Sequence, residues 1–287
     1  MKIITLTSDM GQRDHYVAAV KGYIYKKCEQ VSIIDISNDV KAFNILQAAF
    51  FINNCLNDFP DGTIHILAVN SEPIINFGQP DLGEFPCVVQ FQNQYFVSID
   101  NGIFSLILKD KPAQAIYRVE DMLSSPAALR FPAKNILAKI ACELANGADP
   151  ADLGEKVSSV RKALAFSPVL EENIIKGTVI HIDHYGNIIS NISEELFKKV
   201  GKDNPFTIYF RRKEYYIDVI STTYNEVPEG EKVALFNSNG NLEIAINKGV
   251  EGNGGGANAL FGMKVGDIIR IEFHPRGSKT TIDNLFS

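Results

Sequence analysis

Residues 2–36 read KIITLTSDMGQRDHYVAAVKGYIYKKCEQVSIIDI, and the way this stretch folds decides the class of the protein. KIITLT (2–7) is a β-branched run that reads as a strand. Val17, Val20, Ile24 and Cys28 then recur near helical spacing from Asp14 onward, and VSIIDI (31–36) is strand-like again. Outward along the chain the alternation repeats. Ile45, Ala49, Ile52 and Leu56 lie on one helical face, TIHILAV (63–69) is a strand, and FPCVVQF and QYFVSI (85–99) are strands joined by a polar turn. A further helix starts at Pro132, places Ile136, Ile140 and Leu144 at i, i+4 and i+8, and closes at Gly147. Strands alternating with helices predict an α/β layered, Rossmann-like domain over residues 1–165.

Beyond residue 175 the helical signal nearly disappears. KGTVIHI, NIISNI, PFTIYF, KEYYIDV, KVALF, LEIAI and DIIRIEF are strands separated by Gly, Asn and Pro turns, which predicts an all-β, barrel-like domain over 175–287. The stretch 166–174, with Pro168 and the pair Glu171-Glu172, reads as the linker. A chain of 287 residues, 45% hydrophobic and 22% charged, is long enough to give each domain its own core.

The net charge of −6 comes without any Lys/Arg block, which argues against nucleic acid and against an anionic membrane, since both need clustered positive charge. A small molecule is the expected ligand. The cysteines at 28, 55, 87 and 142 lack zinc or redox spacing and read as free thiols of a cytoplasmic protein. No apolar core of a signal peptide follows MKIITLTSD, and AAFFI (48–52) is far short of a membrane span.

Polar residues cluster where strands end. Ser8-Asp9-Met10-Gly11 closes the first strand, with Asp14 at the start of the next helix; Asn70-Ser71-Glu72-Pro73 closes the strand 63–69, and Asp100-Asn101-Gly102 the strand 94–99. Ligands of open α/β sheets collect at carboxyl ends, where a carboxylate can hold a vicinal diol. The structural alternative makes Asp9 and Asn101 turn residues and Asp14 a helix cap. In the β domain His181-Ile182-Asp183-His184-Tyr185-Gly186-Asn187 is the densest polar cluster. Its two histidines would point to opposite faces of a strand, so a metal site is not expected and Asp183 and Asn187 are the candidates for a polar ligand. GNGGGAN (252–258) lacks the Lys-Ser/Thr of a phosphate loop and opens no clear helix, so it reads as a mobile loop.

Taken in order, TSDMGQRDHYVAAVKG, VSIIDIS, FPDGTIHILAVN, SIDNGIF, IDHYGNIISNI and SNGNLEIAIN resemble the S-adenosylmethionine hydroxide adenosyltransferases, relatives of the fluorinase and chlorinase enzymes. The resemblance runs over nearly the whole chain. It implies S-adenosylmethionine as substrate without a further cofactor, a homotrimer, and a nucleoside site between the N-domain of one subunit and the C-domain of its neighbour. It also implies that Asp9 holds the ribose hydroxyls, that Asp14, Asp183 and Ser238 lie near the amino-acid end of the substrate, that Asn187 binds adenine, and that Tyr185 and Tyr224 flank the base.

The catalytic half departs from the family pattern. Hydrolytic members resemble one another in an Asp, Arg and His set that positions and activates water. Here Asn70 stands at the aspartate position, no Lys or Arg occurs from 42 to 108, and the family's Phe-His-Gly-Arg-Asp stretch reads Phe131-Pro132-Ala133-Lys134-Asn135. An amide and a proline cannot take a proton from water, and a general base contributes roughly 10² to 10⁴ in rate. Glu72 and Lys134 are the nearest substitutes for the missing base and charge, against the plainer reading of a loop carboxylate and a surface lysine. The halogenating relatives resemble one another in an inserted N-domain loop, for which the short turn of the strand pair 85–99 leaves no room, and the fluorinase in a serine at the position of Ala133, so halide use is not expected. Two functions stay open at this point: slow hydrolysis of S-adenosylmethionine to adenosine and methionine, and a non-catalytic S-adenosylmethionine or adenosine binding protein.

Overall fold

A computed structural model describes residues 1–75, 83–123, 126–249 and 255–277. In chain order the elements of the first part are β1 (Lys2–Ser8), α1 (Tyr16–Lys27), β2 (Val31–Ser37), α2 (Ile45–Cys55), β3 (Ile64–Ala68), β4 (Pro86–Phe91), β5 (Gln94–Ile99) and α3 (Ile103–Leu108). They continue with β6 (Ala115–Arg118), α4 (Pro126–Leu129), a π-helical turn (Ala133–Leu137), α5 (Ala138–Ala145), α6 (Pro150–Leu153) and β7 (Glu155–Lys156). The second part holds β8 (Val169–Glu171), β9 (Ile174–Ile182), β10 (Ile188–Ser193), α7 (Glu194–Gly201), β11 (Phe206–Phe210), β12 (Arg212–Ile217), β13 (Lys232–Phe236), β14 (Asn241–Ile246), α8 (Ala257–Phe261) and β15 (Ile268–Phe273). The chain divides into two compact units, Met1–Ala165 and Phe166–Ser287.

In the first unit the strands form one sheet in the order β2-β1-β3-β5-β4-β6-β7, with β2, β1, β3 and β5 parallel. Parallel strands need crossovers, and the helices supply them while covering both faces. Val17, Val20 and Ile24 of α1 and Ile140 and Leu144 of α5 pack on Ile4, Leu6, Ile64 and Ile66; Ala48, Ala49 and Ile52 of α2 and Phe104 and Ile107 of α3 pack on Leu67, Val69 and Phe96. Each fully buried aliphatic side chain contributes roughly 1.5–3 kcal/mol. Because β1 lies between β2 and β3, the chain leaves it in one direction through α1 and returns to its other side through α2. The carboxyl ends of β1 and β3 therefore form the switch point where an α/β sheet opens a crevice.

The second unit is an antiparallel sheet in the order β12-β11-β15-β9-β10-β14-β13, with β8 paired to the start of β9. Its end strands approach each other, with Lys232 on β13 placed 6.0 Å from the ring centre of Tyr216 on β12. Ile175, Val179, Ile188, Ile208, Leu242, Ile244, Ile269 and Ile271 fill the interior of this nearly closed barrel.

Three sequence expectations change. The 166–174 linker contains β8, because Val169 to Glu171 find a free ladder on Lys176 to Ile174. The β domain contains a two-turn helix, α7, whose Ser193 side chain accepts the Leu196 N–H while acidic residues open it and lysines close it. The glycine-rich stretch does lead into a helix, α8, directly after Gly256; residues 252–254, on which the mobile-loop expectation chiefly rests, lie outside the described residues. The four thiols are unpaired, and among the described residues no helix is long and apolar enough to cross a membrane.

Candidate active site

The first unit gathers polar groups at the β1/β3 switch point. Asp9, the residue after β1, is half-buried, and its Oδ2 accepts the backbone N–H groups of Phe43 (2.8 Å) and Asn70 (3.3 Å). Both donors sit in the left-handed region, Phe43 at φ 63° and Asn70 at φ 48°. Asparagine tolerates that region, whereas phenylalanine there stores on the order of 1–3 kcal/mol, which a charge-assisted bond to the carboxylate helps offset. One carboxylate oxygen thus ties the β2–α2 connection and the β3 end to the β1 end. Among the described residues no donor reaches Oδ1.

Asn38 was not singled out by its sequence position after β2, yet it is bonded to residues on both sides of Asp9. It is buried; its Oδ1 accepts the Ser8 hydroxyl at 2.6 Å, its carbonyl accepts the Gly11 N–H at 2.8 Å, and its Nδ2 has no partner among the described residues. Asn101 is brought beside Asn70 and is spent on the protein: its Nδ2 donates to the carbonyls of Val69 (3.1 Å) and Asn70 (2.9 Å), and its Oδ1 accepts the Ile103 N–H. It ties the end of β3 to the start of α3. Its neighbour Asp100 accepts the Arg161 N–H on both oxygens, and burial raises its carboxyl above the usual range.

The remaining candidates of this unit are looser. Asp14 is exposed and does not cap α1, which starts at Tyr16 with His15 in the cap position. Asn70 and Glu72 are exposed on the loop after β3. Lys134 lies on the π-helical turn, a widened geometry frequent at functional sites, and its Nζ stands 5.4 Å from the centre of the Phe131 ring, which meets Tyr16 edge-on at 5.5 Å.

The second unit builds its own polar centre around the β9–β10 turn. Asp183 Oδ1 accepts the N–H groups of Tyr185 (2.9 Å) and Asn187 (2.8 Å), and its Oδ2 accepts Asn187 Nδ2 at 3.0 Å. Asp183 therefore sets the turn and aims the buried Asn187 amide, while Tyr185 is 60% exposed. Gly186 has φ 80° and lies against Gly256 and Asn258, whose N–H donates to the Gly186 carbonyl at 2.9 Å. The described end of the glycine-rich stretch is thus packed on this turn.

Tyr224 and Ser238 join the same neighbourhood through a residue the sequence reading passed over. The Tyr224 hydroxyl donates to Glu243 Oε1 at 2.6 Å, and Asn237, beside the exposed Ser238, donates from Nδ2 to Oε2 at 3.4 Å. Burial raises the Glu243 carboxyl and the Tyr224 phenol, and the nearby negative charge of Asp183 pushes both further in that direction. The His181 imidazole, on β9 with β10 between it and Glu243, has its pKa lowered by burial. Among the described residues no three His, Cys, Asp or Glu side chains are grouped to hold a metal.

Comparisons with known proteins match both units of the chain. A family model described as the SAM hydroxide adenosyltransferase N-terminal domain matches residues 4–154, and one described as the corresponding C-terminal domain matches residues 177–270. The chain is 29% identical over 255 residues to an (R)-S-adenosyl-L-methionine hydrolase of Methanocaldococcus jannaschii, covering 85% of this chain and 88% of that protein. It is 27% identical over 284 residues to a Thermus thermophilus protein of the same name, covering 94% and 100%. A solved structure of a conserved Thermotoga maritima protein is similar with a TM-score of 0.79 at 26% identity, over 94% of this chain and 99% of that one.

Proposed function

The chain belongs to the SAM hydroxide adenosyltransferase family, and from that membership we propose that it hydrolyses S-adenosylmethionine to adenosine and L-methionine. In this reaction the oxygen of water bonds to C5′ of the ribose, the C5′–S bond breaks with its electron pair moving to sulfur, and neutral methionine leaves. The water proton passes to a base or to solvent. A sulfonium leaving group needs no acid and no added cofactor, so the protein's task is to grip the adenosyl group and orient water.

The observation that carries the reading is the anchored Asp9 carboxylate at the switch point, with Oδ2 held by two backbone N–H groups and Oδ1 left for a ribose diol. In this proposal Asn101 braces that end, Asn187 meets adenine, Tyr185 and Tyr224 flank the base, and Asp14, Asp183 and Ser238 lie toward the methionine end. Asn70 orients water as an amide, Glu72 takes its proton, and Lys134 supplies positive charge. We further propose a homotrimer in which one copy's first unit and its neighbour's second unit each contribute half of the site. The free thiols suit a reducing cytoplasm, where we place the protein.

Purified protein incubated with S-adenosylmethionine in oxygen-18 water is expected to release adenosine carrying the label on its 5′ hydroxyl, read by chromatography and mass spectrometry. Adenosine no faster than the uncatalysed background removes the hydrolase reading. Glu72→Gln is expected to slow release by roughly 10² or more; an unchanged rate returns Glu72 to a plain loop residue.

A further inference from the structure

Glu243 carries an inference that rests on the adenosyl-binding reading and goes beyond it. On β14 its neighbours Leu242 and Ile244 point into the barrel interior, so Glu243 points to the opposite face. A carboxylate there would ordinarily meet water, yet Glu243 is only 3% exposed. Burying a charged group is costly unless it is hydrogen-bonded, and its two donors come from separate segments. Tyr224 belongs to the connection between β12 and β13, on a short turn secured by a Thr223/Glu226 capping box. Asn237 belongs to the β13–β14 hairpin, where its Oδ1 accepts the N–H groups of Asn239 and Asn241 at 3.1 Å, which fixes the direction of its amide toward Glu243.

We propose that Glu243 is a positioning residue that sets the Tyr224 ring, together with the Asn237–Gly240 turn, against the adenosyl group of the substrate. Without the carboxylate, Tyr224, which is 40% exposed, keeps its place in the chain and loses the contact that holds its ring still. Ring contact with a base is sensitive to that loss, because stacking depends on orientation.

Adenosine binding by calorimetry, on the full-length protein, tests the assignment with Tyr224→Phe, Glu243→Met and the double variant. Each single change is expected to weaken adenosine binding by about two- to tenfold, the worth of an oriented aromatic contact. The double variant should be no weaker than either, because both remove one contact. Glu243→Gln, which keeps an acceptor for the phenol, should recover part of the affinity and stands in if the Met variant does not fold. A second readout needs no ligand: the ultraviolet difference titration between wild type and Tyr224→Phe should show Tyr224 ionising above ordinary tyrosines, and Glu243→Gln should bring it back toward them. Unchanged adenosine affinity in folded Glu243 variants, or additive losses in the double variant, overturns the proposal. If wild-type protein binds no adenosine, the substrate reading fails and takes the adenosyl contact with it, while the phenol titration still decides whether Glu243 holds Tyr224.

Discussion

At the scale of single residues, the half-buried Asp9 and the fully buried His65 show how differently two polar groups behave. Asp9 spends one oxygen on the backbone and keeps the other. Asp9→Ala is therefore expected to weaken adenosine binding by about 1.5–3 kcal/mol, the range for hydrogen bonds to a charged group, as measured by calorimetry. His65, on β3, is fully buried; its Nδ1 meets the Thr5 hydroxyl at 2.7 Å, its Nε2 meets Gln94 Oε1 at 2.6 Å, and its ring stacks on Phe96. Since the Gln94 carbonyl oxygen can only accept, Nε2 carries the proton and Nδ1 accepts from Thr5, so both ring positions are filled by a neutral imidazole. Burial accordingly lowers its pKa from 6.5 to about 4. The stability contributed by the neutral ring is complete above about 6.5 and is lost as pH falls from there through 4, by up to roughly 3 kcal/mol. Urea unfolding at a series of pH values should show this slope, and His65→Gln should flatten it; an equal slope in the variant assigns the loss to carboxylates.

At the scale of elements, the contact between the glycine-rich stretch and the β9–β10 turn leaves no room for a side chain. A Cβ at Gly256 would stand 2.3 Å from the Tyr185 carbonyl oxygen and 2.7 Å from the Gly186 Cα. Both are backbone atoms and cannot swing aside. Gly256→Ala should cost about 1–3 kcal/mol of stability by overpacking, and adenosine binding should fall with it because the displaced turn carries Asp183 and Asn187. Thermal melts paired with calorimetry would separate the two effects, and full affinity in a destabilised variant would detach this loop from the site. α7 illustrates what periodicity misses: its eight residues are too few for a long apolar repeat, so the recognisable signal is the Ser193 cap with its flanking charges.

At the scale of the whole molecule, the proposed site draws on groups from both units. The first holds Asp9 and the second holds Asn187, Tyr224 and Glu243, so the proposed trimer makes a direct prediction. Asp9→Ala and Asn187→Ala proteins, each weak in binding adenosine, should regain part of the wild-type sites when unfolded together and refolded as mixed oligomers. Light scattering should report three chain masses for the species that binds. A monomer that binds at full strength, or mixtures no better than their parents, would rule out a shared site.

The strand–helix alternation from β1 to β5, the amphipathic faces of α1, α2 and α5, and the polar residues at strand ends were legible in the sequence because they follow local rules of period and turn chemistry, whereas β8, α7 and α8 were not. Asp9, Asn70, Asp183 and Asn187 could be named for that reason. Which partners each polar group meets was decided only by the tertiary structure. Glu243 lies in LEIAI, where alternation marks it as the solvent-facing position of a strand, and nothing nearby announces that Tyr224, 19 residues earlier, closes over it. The Phe43 N–H reaches Asp9 across 34 residues, and Asn101 meets Asn70 across 31. Hydrogen-bond partners that far apart are chosen by strand order and crossover, and residue-to-residue periodicity carries no record of either.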